Sequence, residues 1–500
     1  MLGPRPARRT AALAAASAVV LFTSAGVAAA HGSHGSEQHK EPQAGINVPL
    51  ATSPNVRLVD TVPYETGMIS AAFAKTGPYF YTSSLDSISV FDTSDPGHPQ
   101  LVGTLDNLVF ENEAMTYGER RTSRDVVERF VLVGADLYQA SSSDIQHVNT
   151  GGGELLVVDV TDPTNPHVRS RVSVPNSTHT VACVDEWNCK YAYSAGDHGE
   201  FSVVDLTDLD SPVVAGTHQS AAAGPNDVFT SGAGHEWNFD GTGLGWHTGS
   251  GGAAVFDVTD PLSPVPVNAT DANGIAPGWN DFIHHNSLRP NGGKFKADSA
   301  PSLRNGNVLL VTEEDYFNDG DEVLCERAGS VQTWWVEDLD GEDYRSNAPY
   351  TPGTGTISPL DSSNVPAEFG GGLSLPAGAF CSAHWFDYHQ SGIIAQGFYQ
   401  AGLRLVDVRD PRNIKQYGFV TGGGTEVWDA YWVPERNHKG QATGKKSNFV
   451  YTADLARGID VYQVDLPNED LGDTGAIAPL LDPQWPLELQ GRISATTGVF

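Results

Sequence analysis

One phrase returns along this chain and limits what it can fold into. GELLVVDVTDPTNPHV occupies residues 153–168, and its variants are SISVFDTSDPGHPQLV around Asp92, GEFSVVDLTDLDSPVV around Asp205, GAAVFDVTDPLSPVPV around Asp257 and GLRLVDVRDPRNIKQY around Asp407. Each copy opens with a cluster of β-branched and other apolar residues, such as Val157, Val158 and Val160, which suits a short buried strand. Asp-Pro or a variant follows. The Asp side chain can bond nearby backbone N–H groups and Pro fixes φ, so this dipeptide reads as a turn. A second strand comes next, as at His167–Val172. Two more lie upstream of each phrase, as at Lys190–Ser194 and around His179 in the unit that ends at Asp205.

Four short antiparallel strands per unit describe the blade of a β-propeller. The unit marks are Asp92, Asp159, Asp205, Asp257 and Asp407, with a weaker copy, GIDVYQVDLP, near Gln463. Asp257 and Asp407 lie 150 residues apart, too far for one blade. Ser330–Asp338 within that interval reads as a decayed copy. The count is then seven units, with six or eight blades as alternatives. A β-helix is the competing architecture, but its repeats are much shorter. The last unit lacks an outer strand, and Ser53–Asp60 near the chain start resembles one. An N-terminal strand completing the last blade would leave no open edge. The expected class is therefore all-β, a single seven-bladed propeller over residues 53–465, preceded by a signal peptide (1–30) and a flexible His-containing linker (31–52) and followed by a tail (466–500).

The strands ELLVVD, EFSVVD, GAAVFD and GLRLVD, each near Asp-Pro, resemble the LVIVD repeat of exported and surface bacterial and archaeal proteins. The resemblance covers roughly Ser53 to Asp465. It implies a propeller and a place outside the cytoplasm, and it implies no particular activity. The repeat residues themselves, Asp92 to Asp407, read as structural.

The first nine residues carry Arg5, Arg8 and Arg9, an uncharged Ala-rich run follows from Ala11 to Ala30, and it ends Val27-Ala28-Ala29-Ala30. That is the pattern of a secretory signal with a small-residue cleavage site; an uncleaved anchor is the alternative, and Arg8-Arg9 hints at the twin-arginine route. Losing three arginines takes the formal charge from −32 to −35, which opposes binding to nucleic acid or anionic lipid. No second long apolar run follows, so no integral membrane domain is expected after cleavage. The mature protein is expected to be secreted or otherwise extracytoplasmic, where disulfides persist. Cys183 and Cys189 flank a hairpin-sized turn, which leaves Cys325 and Cys381 to pair across a longer loop. A cysteine-ligated metal is disfavoured by the lack of C-x-x-C spacing.

A second pattern sits at another phase of the repeat. The innermost strands of units three to six carry His179, His235, His284 or His285, and His384, each at or near its start. Inner strands of a propeller surround one axis, so residues distant in sequence become neighbours at its mouth. His179, His235, His285 and His384 are the expected metal ligands, with His284 as a substitute for His285. Glu113 and Asp429 fall at the same phase of units two and seven and could add carboxylate oxygens. Imidazoles suit Fe, Cu or Zn. The arrangement is similar to the four-histidine iron centre of carotenoid-cleaving oxygenases and to the metal site of the selenium-binding and methanethiol oxidase family, by geometry alone. A water-filled polar channel is the alternative. Trp237, Trp385, Trp428 and Trp432 stand beside these positions, either as pocket walls or as packing between blades.

Weaker signals are an N-terminal His31, His34 and His39 set that could chelate Cu or Zn, and the acidic run Asp315–Glu322, which could take Ca²⁺ but lacks an EF-hand register. Residues 344–377 are rich in Gly, Pro and Ser and read as a long loop over one mouth. Two functions fit. One is an extracellular binding module for a protein or small molecule. The other is a transition-metal-dependent oxidoreductase using the four histidines.

Overall fold

A computed structural model describes residues 49–472 except 63–66, 85, 107–113, 124–125, 136–152, 177, 196–199, 220–233, 250–251, 271–282, 316–321, 340–356, 366–373, 377–380 and 423. The signal segment, the His31–His39 set, Glu113 and most of the Asp315–Glu322 run therefore lie outside the described residues.

Seven antiparallel sheets, six of four strands and one of five, follow one another as blades. Blade 1 runs from Ser70–Phe73 to Gln100–Asp106, blade 2 from Ala114–Arg121 to His167–Val174, and blade 3 from Val181–Cys183 to Val213–Gln219. Blade 4 runs from Gly234–Phe239 to Val265–Ala269 and blade 5 from Ile283–Leu288 to Ile357–Ser363. Blade 6 starts at Phe386–His389 and ends at Lys415–Gly422; blade 7 starts at Val427–Arg436. The decayed copy is the third strand of blade 5, Val331–Val336.

The repeat phrase has a direct local cause. Its first Asp accepts the N–H two residues on: Asp92 from Ser94 (2.8 Å), Asp159 from Thr161 (2.8 Å), Asp205 from Thr207 (2.7 Å), Asp257 from Thr259 (2.9 Å) and Asp407 from Arg409 (3.0 Å). The second Asp repeats the bond, as Asp162 does to Thr164 (3.0 Å) and Asp410 to Arg412 (3.1 Å). Two successive side-chain turns thus reverse the chain between the third and outer strands. The pairing of those strands then carries a bulge at matching positions in all seven blades, from Val90/Phe91 in blade 1 to Leu58/Asp60 in blade 7. A bulge adds local twist, so the outer edge of each blade turns in the same way.

Closure is as the sequence indicates. Val56–Val62 pairs antiparallel with Gly458–Val464 and completes blade 7. Leu50–Thr52, inside the segment expected as linker, extends blade 6 by a fifth strand on Lys415–Gly422. The chain start is therefore sewn into two adjacent blades. Residues 344–377 depart from the loop reading: Ile357–Ser363 is the outer strand of blade 5, and Ser374–Pro376 pairs with Glu322–Leu324. The third strand of blade 5 had no outer partner within the decayed phrase, so the chain supplies one from further on.

Side chains between blades form the core. Phe73 and Phe80 of blade 1 pack on Tyr431 and Tyr451 of blade 7, while Tyr193 of blade 3 meets Trp237 of blade 4 at 5.0 Å between ring centroids. Trp237, Trp385, Trp428 and Trp432 are all buried, so their role includes packing between blades. Both disulfides form as expected, Cys183–Cys189 and Cys325–Cys381. No helix among the described residues is long and apolar enough to cross a membrane.

Candidate metal centre

The histidines reach the axis through irregular backbone. His179 lies in a bend two residues before the inner strand of blade 3, and His384 two residues before that of blade 6. In blade 4 the strand register shifts between Gly234 and Glu236, at His235. In blade 5 it shifts between His284 and Ser287, across His285 and Asn286. In blade 7 it shifts between Val427 and Asp429, at Trp428. A bulge re-aims one side chain out of the regular alternation. Three of the inner strands thus break pairing where they reach the same mouth of the axis.

The result is a continuous arc of imidazoles. Ring centroids lie 4.9 Å apart for His179 and His235, 4.3 Å for His235 and His285, and 4.3 Å for His285 and His384. His235, His285 and His384 are buried and His179 is half-buried. Thr180 and Thr248 fix the chain here by donating hydroxyls to the carbonyl oxygens of His235 and His285.

Two of the rings have a defined tautomer. His235 Nδ1 lies 3.1 Å from the His285 carbonyl oxygen, and His384 Nδ1 lies 2.7 Å from that of Trp428. A carbonyl only accepts, so Nδ1 carries the proton, and in the neutral ring Nε2 then holds a lone pair. This is the form in which a histidine ligates a metal, with its other nitrogen tied to a backbone acceptor.

Buried carboxylates surround the arc: Glu236, Glu313, Glu314, Glu426 and Asp429. Donor atoms of His235, Glu236 and His285 all lie within 4.8 Å of one another. Asp429 Oδ1 stands 3.1 Å from His384 Nδ1, and its Oδ2 accepts the Tyr431 hydroxyl at 2.6 Å. Tyr399 donates to Glu314 and its ring lies 4.7 Å from that of His384. Tyr399 also has φ of +44°, a left-handed conformation that a bulky residue adopts only when its surroundings hold it there. Paired main-chain bonds to Val427, at 2.7 and 3.0 Å, supply that restraint. Further out, burial and the charge of Asp460 push the Asp454 carboxyl up to about 7.

Of the sequence-derived candidates, His179, His235, His285 and His384 come together. His284 turns away and packs on Trp334, 5.4 Å between ring centroids. Asp429 sits behind His384, joined to its Nδ1. Glu236, Glu314, Tyr399 and Tyr431 were not singled out by the sequence. Glu236 adjoins His235 and carried a usable signal; Tyr399 and Glu314 lie outside the inner strands, where axial phase says nothing.

Comparison with known proteins adds the following. The family model for the LVIVD repeat matches residues 147–174. No curated protein matches the chain. Among solved structures, the crystal structure of the Cps50 (Swd1) β-propeller domain of Myceliophteria thermophila is similar at 12% identity and a TM-score of 0.48, covering 82% of this chain and 100% of that one.

Proposed function

The chain is a seven-bladed β-propeller with an LVIVD-repeat match at residues 147–174, and from that premise we propose that it is an exported module that holds one transition-metal ion at the mouth of its axis, on His179, His235, His285 and His384. The observation that carries this reading is the spacing of the rings. An imidazole bound through nitrogen at about 2.1 Å places its centroid roughly 3.2 Å from the ion, so adjacent ligands have centroids about 4.5–5.3 Å apart. The His179–His235 spacing of 4.9 Å falls within that range, the two of 4.3 Å lie just short of it, and the donor atoms of His235, Glu236 and His285 already stand within 4.8 Å of one another.

The donor set fits as well. Four neutral imidazoles suit Fe, Cu or Zn rather than Mg or Ca. Nearby carboxylates supply the negative potential a dication needs, and the backbone carbonyls hold two rings in the ligating tautomer. Export rests on the basic, Ala-rich start, the two disulfides and the family resemblance. Outside the cell such a ring of loops around a rigid axis would bind a protein or small-molecule ligand.

Metal-dependent oxidation is the second reading. It is favoured by the uneven arc: the four histidines come from blades 3 to 6, and blades 7 and 1 bring Trp428, Ile69 and Leu455, which pack with Tyr399. A redox metal there would supply one-electron chemistry or Lewis acidity.

Elemental analysis of protein purified through its native export route tests the site. Near one equivalent of a transition metal per chain is expected, lost in His235→Ala/His384→Ala with the β-sheet circular dichroism unchanged. Metal-free wild-type protein that also takes up no Fe, Cu or Zn on dialysis would sink the proposal.

A further inference from the structure

Away from the histidines, the inner strand of blade 3 ends at Cys183 and runs into a loop closed by the Cys183–Cys189 disulfide. This loop and two turns of blade 4 enclose a cavity of about 430 Å³. That volume is within the range of small-molecule sites. Its walls are Val184, Phe239, Leu244 and Val258, with Asp185 and Trp187 from the disulfide loop.

The walls are held before any ligand arrives. The disulfide closes the loop, and Asp185 Oδ1 accepts the Trp187 N–H at 3.0 Å, capping a short 3₁₀ turn. Gly243, on the floor, has φ of +91°, and a Cβ there would fall 2.7 Å from Thr259 Cγ2. Trp187 differs from most tryptophans among the described residues. Trp237, Trp246, Trp334, Trp385, Trp428 and Trp432 are fully buried, whereas Trp187 is 41% exposed. An indole held open beside an apolar cavity is a surface ready for a partner.

Charge selects the partner. The lining includes Asp185 and Glu186 and no Lys or Arg. Glu186 is engaged by Lys75, which leaves Asp185 as the exposed acid. The chain as a whole carries −32, so its field concentrates cations and repels anions.

We propose that this cavity is a second ligand site, separate from the axial histidines, for a small molecule that joins an aromatic or branched apolar body to a protonated amine. The body takes the Phe239, Leu244 and Val258 walls. The ammonium takes the Asp185 carboxylate and the Trp187 ring face, an arrangement in which both charge and ring quadrupole attract it.

Titration calorimetry on the full-length protein tests this, with tryptamine as probe and indole-3-propionate as its anionic counterpart. Saturable tryptamine binding is expected, weakened about tenfold or more by Trp187→Ala and by the cavity-filling Leu244→Trp. His235→Ala/His384→Ala should leave it unchanged, which separates this site from the axial one. Thermal denaturation checks that each variant is folded. No saturable tryptamine binding at millimolar concentration, tighter binding of the carboxylate, or equal affinity in both cavity variants would each overturn the assignment.

Discussion

The buried charge at the histidine mouth of the axis and at the opposite mouth is held in two different ways. At the first, the carboxylates are fixed by neutral donors: Tyr431 on Asp429, Tyr399 on Glu314, Trp428 on Glu426 and Gln332 on Glu313. At the second, they are fixed by cations: Lys75 on Glu186, and Lys446 on Asp387 at 2.6 Å. A neutral donor orients a carboxylate without cancelling its charge, whereas an ammonium does both. One mouth thus gathers carboxylates held by hydroxyl, indole and amide donors beside the histidine arc, and the other sets carboxylates against ammonium groups. The same fold sets an arc of histidines among carboxylates at one end and a charged plug at the other.

Breaking the plug gives the largest expected effect. Lys75→Met leaves Glu186 buried without its cation; burial already holds that carboxyl at about 7, so near neutral pH it takes up a proton and the loss is small, whereas at pH 9 the loss should approach about 3 kcal/mol. Replacing both, Lys75→Met with Glu186→Leu, should recover most of that loss. Urea midpoints at about pH 9 measure the two variants, and metal content should stay at the wild-type value in both. If the double variant is no more stable than the single one, the two residues do not act as a pair.

A sharper test acts at the other mouth. Asp429→Asn keeps the shape behind His384 and removes the charge that faces Nδ1. Loss of such a partner typically weakens metal binding about 10–100-fold. Competition with a chromophoric chelator gives the affinity. Tyr431→Phe should show a smaller change in the same direction, because it frees the carboxylate without discharging it. An unchanged affinity in Asp429→Asn would mean that the Trp428 carbonyl alone fixes the ring.

How much of this was readable in advance follows from how local each feature is. The turns after Asp92, Asp159, Asp205, Asp257 and Asp407 are made by side chains on their own backbone, so the phrase itself announces them. The closing strand was legible because Val56–Val62 resembles the outer strands it replaces. The strand Ile357–Ser363 was hidden, since its partner is fixed by pairing and its surroundings have the composition of a loop. The axial histidines were legible by phase, yet the choice between His284 and His285 was not. A bulge decides it, and a bulge depends on the opposing strand. Tyr399 was hidden for the same reason: its left-handed backbone comes from Val427 in the next blade.

The smallest predicted effect concerns acid at the plug. His389 lies there, its Nε2 donating to the Lys446 carbonyl oxygen at 3.0 Å and its Nδ1 accepting the Ser391 N–H at 3.0 Å. Burial pushes its imidazole down to about 4, against the hydrogen bond to the Lys446 carbonyl oxygen, which favours the protonated ring; the Lys446 charge then lowers it and Asp470 raises it. The unfolded chain therefore binds the proton first. The contribution of His389 is full above pH about 6.5 and is lost as pH falls towards 4, amounting to about 1 kcal/mol at pH 5.5 after allowance for solvent at the ring. Glu186 runs the other way: burial pushes it up to about 7 against the pull of Lys75, so its contribution is present below about pH 4.5 and lost as pH rises through 7. Total stability mixes the two, and the comparison that isolates His389 is wild type against His389→Asn, which cannot take up the proton. Between pH 7 and 5.5 the urea midpoint of the wild type should fall further than that of the variant. Parallel falls would show that protonation of His389 does not loosen the plug, and the acid sensitivity of that mouth would then rest on the carboxylates.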